Sequence, residues 1–491
     1  SSLPYPKPTV PMEFGTRTRF LVMVLLLFCL TSIWSNILAF NFALICMKPI
    51  ANATDEALNE DRYGFSEYQR MLMTSVVAIA ALLANFPVVP LVNKFGVRTV
   101  FVVLGLVSAV GTLAMPFAVR MGYEWLIMCR FLQGLGFAGN FPVIGAFAAK
   151  WTYYKQTGLF VSVLVAYVQL SPAISMPASG ALCTSFGWPS IFFAHGVATL
   201  ALFVVLAAFY RNSPGKHPFV GEAEVNKIAV GKATVNKKLL KKVPYVAILS
   251  TPAIWGTWIG AIGNFTAVAT MFLYNPLYLS SVLGFSMQST GLTAAIPPMI
   301  QFTVKLICGV VSDRIKFISE VNKFRLFNSL AFFGCASFLI VLSFMGADHK
   351  SLNVMLLGGA AGVLGATTGG FFKSAPFLSK QYSHFVTGNI SLMLTLCLLA
   401  APILVNSLTK HQTQAEWAHV FQIIAGVQIV CNIIFCICVR GEPCVWTTDD
   451  WIRKNSMLSD VPPLGRLFLR LFLARHNHSF IVRTTVTRII D

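Results

Sequence analysis

Long apolar segments alternate with short polar ones along most of this chain. About twelve apolar segments of roughly 20 residues or more occur, and this length crosses the hydrocarbon core of a bilayer as a helix. The pattern therefore predicts an all-α membrane protein. The predicted transmembrane helices cover 20–46, 71–91, 99–119, 123–149, 157–185, 189–210, 246–279, 288–311, 326–346, 352–372, 384–407 and 417–439.

The polar segments divide these helices six and six. Residues 1–19 form a polar N-terminal tail, and 20–210 contain the first six helices. A basic loop, 211–245, precedes the second six-helix half at 246–439, and 440–491 form a basic C-terminal tail. Two six-helix halves joined by one long loop predict an internal repeat in which the halves are related pseudo-repeats.

The composition supports a membrane protein, and the distribution of charged residues predicts its orientation in the membrane. Of the 491 residues 56% are hydrophobic and 11% are charged, too apolar a balance for a soluble protein of this size. About 29 of the 37 Lys and Arg lie in the tails and in the loops on the same side as the tails. The positive-inside rule then places both termini in the cytoplasm and accounts for the +19 net charge without a nucleic-acid partner. Asn52 begins a glycosylation sequon in a loop on the outer side.

The cysteines and the remaining motifs argue against an enzyme. The eleven cysteines are scattered through the apolar segments without metal-ligand spacing, and we interpret them as small buried hydrophobic residues. A bridge between Cys46 and Cys183, at the outer ends of two predicted helices, is possible. The sequence shows no nucleotide-binding loop, metal cluster or nucleophile constellation. We expect no metal and no cofactor.

Arg130 is the most informative charge in the sequence. It lies within the apolar segment 123–149, where an ionised side chain is unfavourable and by default faces a cavity or a partner. Gly134, Ala138 and Pro142 follow at four-residue steps and leave one helix face small. A guanidinium suits a carboxylate or a phosphate. The alternative is an arginine that snorkels outward or satisfies backbone carbonyls.

Lys305 is the second cation within an apolar segment. It lies about a turn and a half from the inner end of the eighth predicted helix. If it faces the cavity, it adds a second positive charge to an anion site. The alternative is a lysine that snorkels to the cytoplasmic surface.

Two short cytoplasmic loops carry related motifs. The first reads Asn93–Arg98, with Lys94, Gly96 and Arg98, and the second reads Gly309–Arg314, ending in Asp313 and Arg314. Charges at such helix ends are expected to act as an inner gate that pairs in one state and parts in the other. Solvated loop charges are the alternative. These residues resemble the loop signature of the major facilitator superfamily, although Asn93 stands where that signature has an aspartate.

Further residues narrow the resemblance. Arg130, Gln133 and Gly134 with Pro142 and Trp151 resemble the fourth helix of the anion–cation symporter branch of that superfamily. This branch contains vesicular glutamate transporters, sialin and type I sodium–phosphate cotransporters. The resemblance implies twelve helices, a substrate site between the halves near the middle of the membrane, and alternating access.

The resemblance also implies site positions, and this sequence departs from several of them. Asn41 is kept, but Ala39 replaces an expected arginine and Phe137 replaces a membrane glutamate. Thr74 stands where glutamate-transporting members have a histidine, and Asn264 stands where they have an arginine. The predicted substrate-binding residues are therefore Arg130, Asn41, Asn264, Lys305, Thr74 and Phe137.

The function that follows is secondary transport, active or facilitative, of organic anions or phosphate. The predicted helices contain no Asp or Glu in their cores, and the coupling ion, whether Na⁺, H⁺ or Cl⁻, stays open. Two alternatives remain: a transporter of neutral or zwitterionic solutes, and a receptor or scaffold of the same fold that does not transport. We expect a monomer in the plasma membrane or in an endolysosomal or secretory vesicle membrane.

Overall fold

Seventeen α-helices make up the part of the chain that the structure describes. The structure is a computed structural model that describes residues 17–47, 65–153, 156–229, 243–448 and 451. In chain order the helices are α1 Thr18–Cys46, α2 Glu67–Met121, α3 Tyr123–Phe137, α4 Asn140–Trp151, α5 Thr157–Val165, α6 Tyr167–Phe186, α7 Trp188–Phe209, α8 Glu222–Ala229, α9 Tyr245–Leu249, α10 Pro252–Ser281, α11 Met287–Ala294, α12 Ile296–Arg314, α13 Glu320–Ser343, α14 Lys350–Leu364, α15 Phe371–Ser379, α16 Ser383–Leu408 and α17 Gln414–Cys438.

Eleven segments among the described residues are long and apolar enough to cross a membrane. One of them, Tyr68–Met121, has 54 residues and would extend about 80 Å if straight, more than twice the roughly 30 Å hydrocarbon core. Its backbone leaves the helical conformation at Gly96, where φ is 85°. The segment therefore supplies two crossings, which is consistent with the twelve predicted from the sequence.

We number the crossings as spans in chain order. Span 1 is α1, spans 2 and 3 are the parts of α2 before and after Gly96, span 4 is α3 with α4, span 5 is α5 with α6, span 6 is α7, span 7 is α10, span 8 is α11 with α12, span 9 is α13, span 10 is α14 with α15, and spans 11 and 12 are α16 and α17.

Local sequence explains where the long helices begin and break. Ser66 starts α2 through a capping box with Gln69, and Thr413 starts α17 in the same way with Glu416. Span 10 is interrupted by a 3₁₀ segment, Gly365–Gly369, in a glycine-rich stretch. Broken helices inside a membrane protein occur where the freed backbone is buried in protein or lines a cavity.

The outer ends of spans 1 and 5 are joined covalently. Cys46 and Cys183 form a disulfide, with their Cα atoms 6.2 Å apart. The bridge left open by the sequence is therefore present. The interpretation as buried hydrophobic residues holds for six of the other nine cysteines, which are free and buried. A disulfide at this end agrees with the charge distribution, since structural disulfides persist on the non-cytosolic side of cellular membranes.

The basic loop between the halves is docked on the first half over its described part. Thr18 donates a hydrogen bond to the Phe219 carbonyl (2.9 Å), and the Glu224 carboxylate accepts one from the Arg19 backbone N–H (3.0 Å). The indole of Trp151 donates to the Arg211 carbonyl (3.1 Å). Because Glu224 receives an N–H from the first turn of α1, it also complements the positive end of that helix.

The two halves meet closely at their outer ends. A Cβ atom at Gly291 of span 8 would lie 2.6 Å from the Met176 carbonyl and 3.1 Å from the Gly180 Cα of span 5. Span 1 contacts span 7 nearby, where the Asn41 amide donates to the Leu273 carbonyl (3.4 Å). The described conformation is thus closed between the halves at the side that the charge rule assigns to the exterior.

Candidate functional site

Arg130 is fully buried on span 4 and is held by three neighbours. Its Nε donates to the Met73 carbonyl (3.0 Å), and its Nη1 donates to the Ile37 carbonyl (3.3 Å) and to the Gln133 side-chain oxygen (2.6 Å). The Phe40 ring lies 4.2 Å from the guanidinium carbon, within the range of a cation–π interaction. The outward snorkelling considered from the sequence is absent, whereas the backbone carbonyls are indeed partners.

One nitrogen of the guanidinium remains for a ligand. Nη2 of Arg130 is buried and has no hydrogen-bond partner among the described residues. A fork that grips a carboxylate through two parallel bonds needs two adjacent nitrogens. With Nε and Nη1 already occupied, Arg130 offers an anion its full positive charge but a single-point contact in this conformation.

A buried polar network fixes Arg130 to the first half. Gln133, which accepts from Arg130, donates to the Asn36 carbonyl (3.3 Å) and to the Thr112 hydroxyl (2.9 Å). The Asn36 side chain in turn donates to Ser108 (3.1 Å) and accepts from Thr199 (3.2 Å). Hydrogen bonds therefore connect spans 1, 3, 4 and 6 next to the arginine. Buried networks whose members are satisfied rigidify the structure around them.

The small face predicted after Arg130 serves this packing. A Cβ atom at Gly134 would collide with the Val77 carbonyl of span 2 and lie 2.7 Å from the Ala80 Cβ. Span 2 can therefore approach closely enough for the Met73 carbonyl to reach Nε of Arg130.

Tyr274 is a candidate site residue that the sequence did not indicate. It lies on span 7 of the other half, is 6% exposed, and interacts electrostatically with Arg130. Its hydroxyl accepts a hydrogen bond from the Asn406 amide of span 11 (3.3 Å) and also interacts with the Thr74 hydroxyl. A tyrosine in an apolar helix carries no sequence signal of its own. Only the packing of spans 2, 4, 7 and 11 brings these groups together.

Two other predicted positions lie on spans 1 and 4. Asn41 is 8% exposed, and its side-chain oxygen is buried without a partner among the described residues. Phe137, which stands where the resemblance expects a glutamate, is buried with its ring 5.1 Å from that of Trp34. Phe137 therefore packs against Trp34 and supplies no charge.

A second constellation surrounds Lys305 at the middle of the molecule, in a cavity between the halves. Its Nζ lies 3.5 Å from the side-chain oxygen of Gln169 on span 5 and 5.3 Å from the ring centroid of Phe372 on span 10. Lys305 is 8% exposed and does not snorkel to the cytoplasm. Asn264 lines the same cavity, and its side-chain oxygen is buried without a described partner.

The structure thus separates the predicted site residues into two groups. Arg130, Thr74 and Asn41 lie toward the outer side with Tyr274, while Lys305 and Asn264 line the central cavity with Gln169, Gln301 and Thr367. Arg130 is outside the lining of that cavity. One buried cation, Arg130, is therefore held inside the first half, and the other, Lys305, lines the cavity between the halves.

The predicted gating residues are placed as follows. Gly96 has a left-handed φ of 85°, and a Cβ there would collide with the Asn212 side chain. The Asn212 oxygen accepts from the Arg98 backbone N–H (2.8 Å), and Arg98 Nε donates to the Ala207 carbonyl at the end of span 6 (2.9 Å). In this conformation Arg98 therefore connects helices of one half.

The other predicted gating residues have few described contacts. Lys94 lies 5.2 Å from the ring of Phe95, and Arg314 is exposed at the end of α12. The side chain of Asp313, and Asn52 as a whole, lie outside the described part of the structure. A gating role for these residues stays a prediction.

Comparison with known proteins agrees with this architecture. The chain matches the family model described as Major Facilitator Superfamily over residues 20–402. It is 27% identical to sialin of Homo sapiens over 355 residues, which cover 71% of this chain and 70% of sialin. It is 28% identical to a putative inorganic phosphate cotransporter of Drosophila melanogaster over 354 residues, covering 70% of this chain and 66% of that protein.

Two further matches concern another relative and the fold. The chain is 26% identical to vesicular glutamate transporter 3 of Danio rerio over 364 residues, covering 72% of this chain and 61% of that protein. A bacterial homolog of the human lysosomal transporter Spinster, solved in an inward-facing and unoccupied conformation, superposes with a TM-score of 0.65. It covers 86% of this chain and 97% of its own at 12% identity, a level that shows the fold alone.

Proposed function

The chain belongs to the major facilitator superfamily, and from this premise we propose that it is a secondary transporter of organic anions or phosphate that works by alternating access. The observation that carries the substrate class is a pair of buried cations, Arg130 in the first half and Lys305 in the cavity between the halves. Neither has a carboxylate partner among the described residues. An anion is the species that such a path stabilises, since opposite charges attract far more strongly in a low-dielectric site than in water.

The relatives support the same substrate class. A vesicular glutamate transporter and a putative inorganic phosphate cotransporter are among the proteins that this chain resembles. Their named substrates are a carboxylate and a phosphate, both of which a guanidinium and an ammonium bind well.

The route of the anion follows from the positions of the two cations. Nη2 of Arg130, with Tyr274 and Thr74 nearby, contacts the anion toward the outer side, and Lys305 with Asn264 contacts it in the central cavity. Arg130 is fixed to the first half, while Tyr274 and Lys305 belong to the second half. Rocking of the halves then changes the spacing of the groups around the anion, which is how one site is presented to two sides.

Uptake into vesicles reconstituted with the purified protein tests this proposal. The probes are radiolabelled phosphate, L-glutamate and gluconate, with L-glutamine as the uncharged counterpart of glutamate. We expect saturable uptake of at least one anion and little uptake of glutamine. Arg130→Ala should lower anion uptake about tenfold or more, because a charge-assisted contact contributes about 1.5–3 kcal/mol.

The matched control is Arg120→Ala, which removes an exposed arginine at the end of span 3. This variant should transport like the wild type. Uptake of glutamine as fast as that of glutamate would favour a carrier for neutral or zwitterionic solutes. Saturable binding without flux under any imposed gradient would instead identify a receptor, and either result overturns the proposal.

A further inference from the structure

Lys305 occupies an unusual environment for a charged group. It is 8% exposed in the cavity between the halves, and among the described residues its Nζ has one hydrogen-bond partner, the Gln169 side-chain oxygen at 3.5 Å. That distance is at the outer limit of a hydrogen bond. Gln169 is itself engaged, since its amide donates to Gln301 across the two halves (3.3 Å).

No acidic side chain that the structure describes faces Lys305 from the elements packed around it. Span 5 presents Gln169, span 7 presents Asn264, and span 10 presents Thr367 and Phe372. The titratable groups closest along these elements are Tyr167 on span 5, Cys308 on span 8 itself and Lys373 on span 10. Tyrosine and cysteine are uncharged at neutral pH, and a second lysine adds positive charge.

The protonation state of Lys305 therefore depends on what occupies the cavity. An ammonium removed from water without a counter-ion loses hydration that one distant amide oxygen does not replace, so the empty cavity favours the neutral amine. An anion in the cavity reverses this balance, because the ammonium then gains an opposite charge in a site of low dielectric constant. Proton binding and anion binding at this position reinforce each other.

We propose that Lys305 is the proton-binding group that couples anion transport to the proton gradient. The inference rests on the proposed function, of which it specifies the coupling ion. The anion enters the central cavity together with a proton, the lone pair of the Lys305 amine takes the proton, and the resulting ion pair moves as one unit. When the anion leaves, the ammonium returns its proton to water and the carrier resets with a neutral amine.

No other described group of the spans is suited to this role. Arg130 carries a permanent charge, because a guanidinium does not lose its proton in a protein. His195 is engaged within span 6, where its Nδ1 lies 2.8 Å from the Ile191 carbonyl, and it does not line the cavity. A lysine in the cavity can thus take the place of the carboxylate that the cores of the predicted helices lack.

The mechanism determines the net charge that crosses the membrane in each turnover. One turnover carries one proton and one anion, so transport of a monovalent anion is electroneutral. At zero membrane potential, an inward gradient of about one pH unit then drives about a tenfold accumulation of the anion, since one unit corresponds to about 1.36 kcal/mol.

The experiment measures this accumulation ratio in reconstituted vesicles with the potential clamped at zero. The probes are gluconate and L-glutamate, which keep one negative charge between about pH 6 and 8, and phosphate. Wild-type protein should accumulate a transported probe about tenfold across one unit of acid-outside gradient. Lys305→Arg replaces a titratable cation with a permanent one. We expect this variant to transport more slowly and to give an accumulation ratio that does not depend on the pH gradient.

Two further variants are compared with Lys305→Arg in the same assay. Lys305→His should move the coupled pH range toward acid, because an imidazole holds its proton less tightly than an amine. Lys316→Met removes an exposed lysine just after α12 and should leave the accumulation ratio at the wild-type value.

The outcomes separate the two proposals. Wild-type protein that takes up none of the anions under any gradient overturns the transport function and this inference with it. Wild-type uptake with an accumulation ratio that ignores the pH gradient, or Lys305→Arg with the wild-type ratio, overturns the coupling role of Lys305 alone.

Discussion

Single residues in this protein matter through the partners that packing gives them. The sequence identified Arg130 because a charge in an apolar segment is conspicuous, but it left open whether the guanidinium meets a cavity or backbone carbonyls. The structure shows that three of its contacts are internal and that Nη2 remains without a partner among the described residues. The same side chain thus stabilises the first half and leaves one nitrogen for an anion.

Tyr274 offers the sharpest test of the outer group of site residues. Tyr274→Phe removes the hydroxyl that accepts from the Asn406 amide and interacts with Thr74, while it keeps the ring that fills the space. We expect the KM for the transported anion to rise severalfold with little change in the amount of folded protein. A lost hydrogen bond of this kind is worth about 0.5–1.5 kcal/mol.

The control for Tyr274→Phe is Tyr68→Phe, which alters an exposed tyrosine near the outer end of span 2. Uptake assays of both variants against the wild type give the KM values. An unchanged KM in Tyr274→Phe would remove this residue from the site.

At the scale of elements, the loops between spans fix how neighbouring helices end. Gly96 turns the chain between spans 2 and 3 in a left-handed conformation, which costs a residue with a Cβ about 1–2 kcal/mol. The sequence motif marked this loop. What it could not show is that Arg98 reaches the end of span 6, because that contact joins residues more than 100 positions apart.

The docked part of the central loop should respond to acid. His217 is buried between Trp151, Phe209 and Phe219, and its Nδ1 accepts a hydrogen bond from the Phe219 N–H (3.2 Å). Burial lowers the pKa of His217 below its usual value, against a weaker opposing effect of the Phe209 carbonyl, and the Arg211 charge lowers it further.

The sign of the pH effect follows from that lowered pKa. Below the unfolded-state pKa of about 6.5, the released loop binds a proton more readily than the docked loop. Docking is therefore fully stable above that pH and weakens as the pH falls. Hydrogen exchange of residues 213–229, corrected for intrinsic rates, should increase on acidification, and His217→Phe should abolish the increase. Equal exchange in the two proteins would contradict this assignment.

For the molecule as a whole, the closed outer side depends on small residues. Gly180 and Gly291 let spans 5 and 8 of opposite halves touch, and the Asn41 contact with the Leu273 carbonyl lies at the same end. Small residues at membrane-helix interfaces permit such close approach. Spans 1 and 5 are additionally joined by the Cys46–Cys183 disulfide, which keeps the outer ends of these two spans together.

A larger residue at this contact should shift the conformational equilibrium. Gly291→Val would collide with the Met176 carbonyl and should disfavour the conformation closed on the outside, slowing transport at least severalfold. Faster labelling, by a membrane-impermeant thiol reagent, of a cysteine placed at Ser286 would report the opening. Gly346→Val, at a glycine with open space around it, is the matched control. Unchanged labelling would contradict the closing role of this contact.

The sequence by itself determined the class and the architecture. Hydrophobic segments of membrane length, the distribution of Lys and Arg and the two loop motifs follow from local composition, because a bilayer demands the same length and polarity of every helix that crosses it. Candidate site residues were identified where a charge stood out, as with Arg130 and Lys305. The tertiary structure decided which partners those charges meet. The contacts of Arg130 with Met73, of Lys305 with Gln169 and of Cys46 with Cys183 join distant segments, and apolar helices carry no local pattern that specifies which faces pack together.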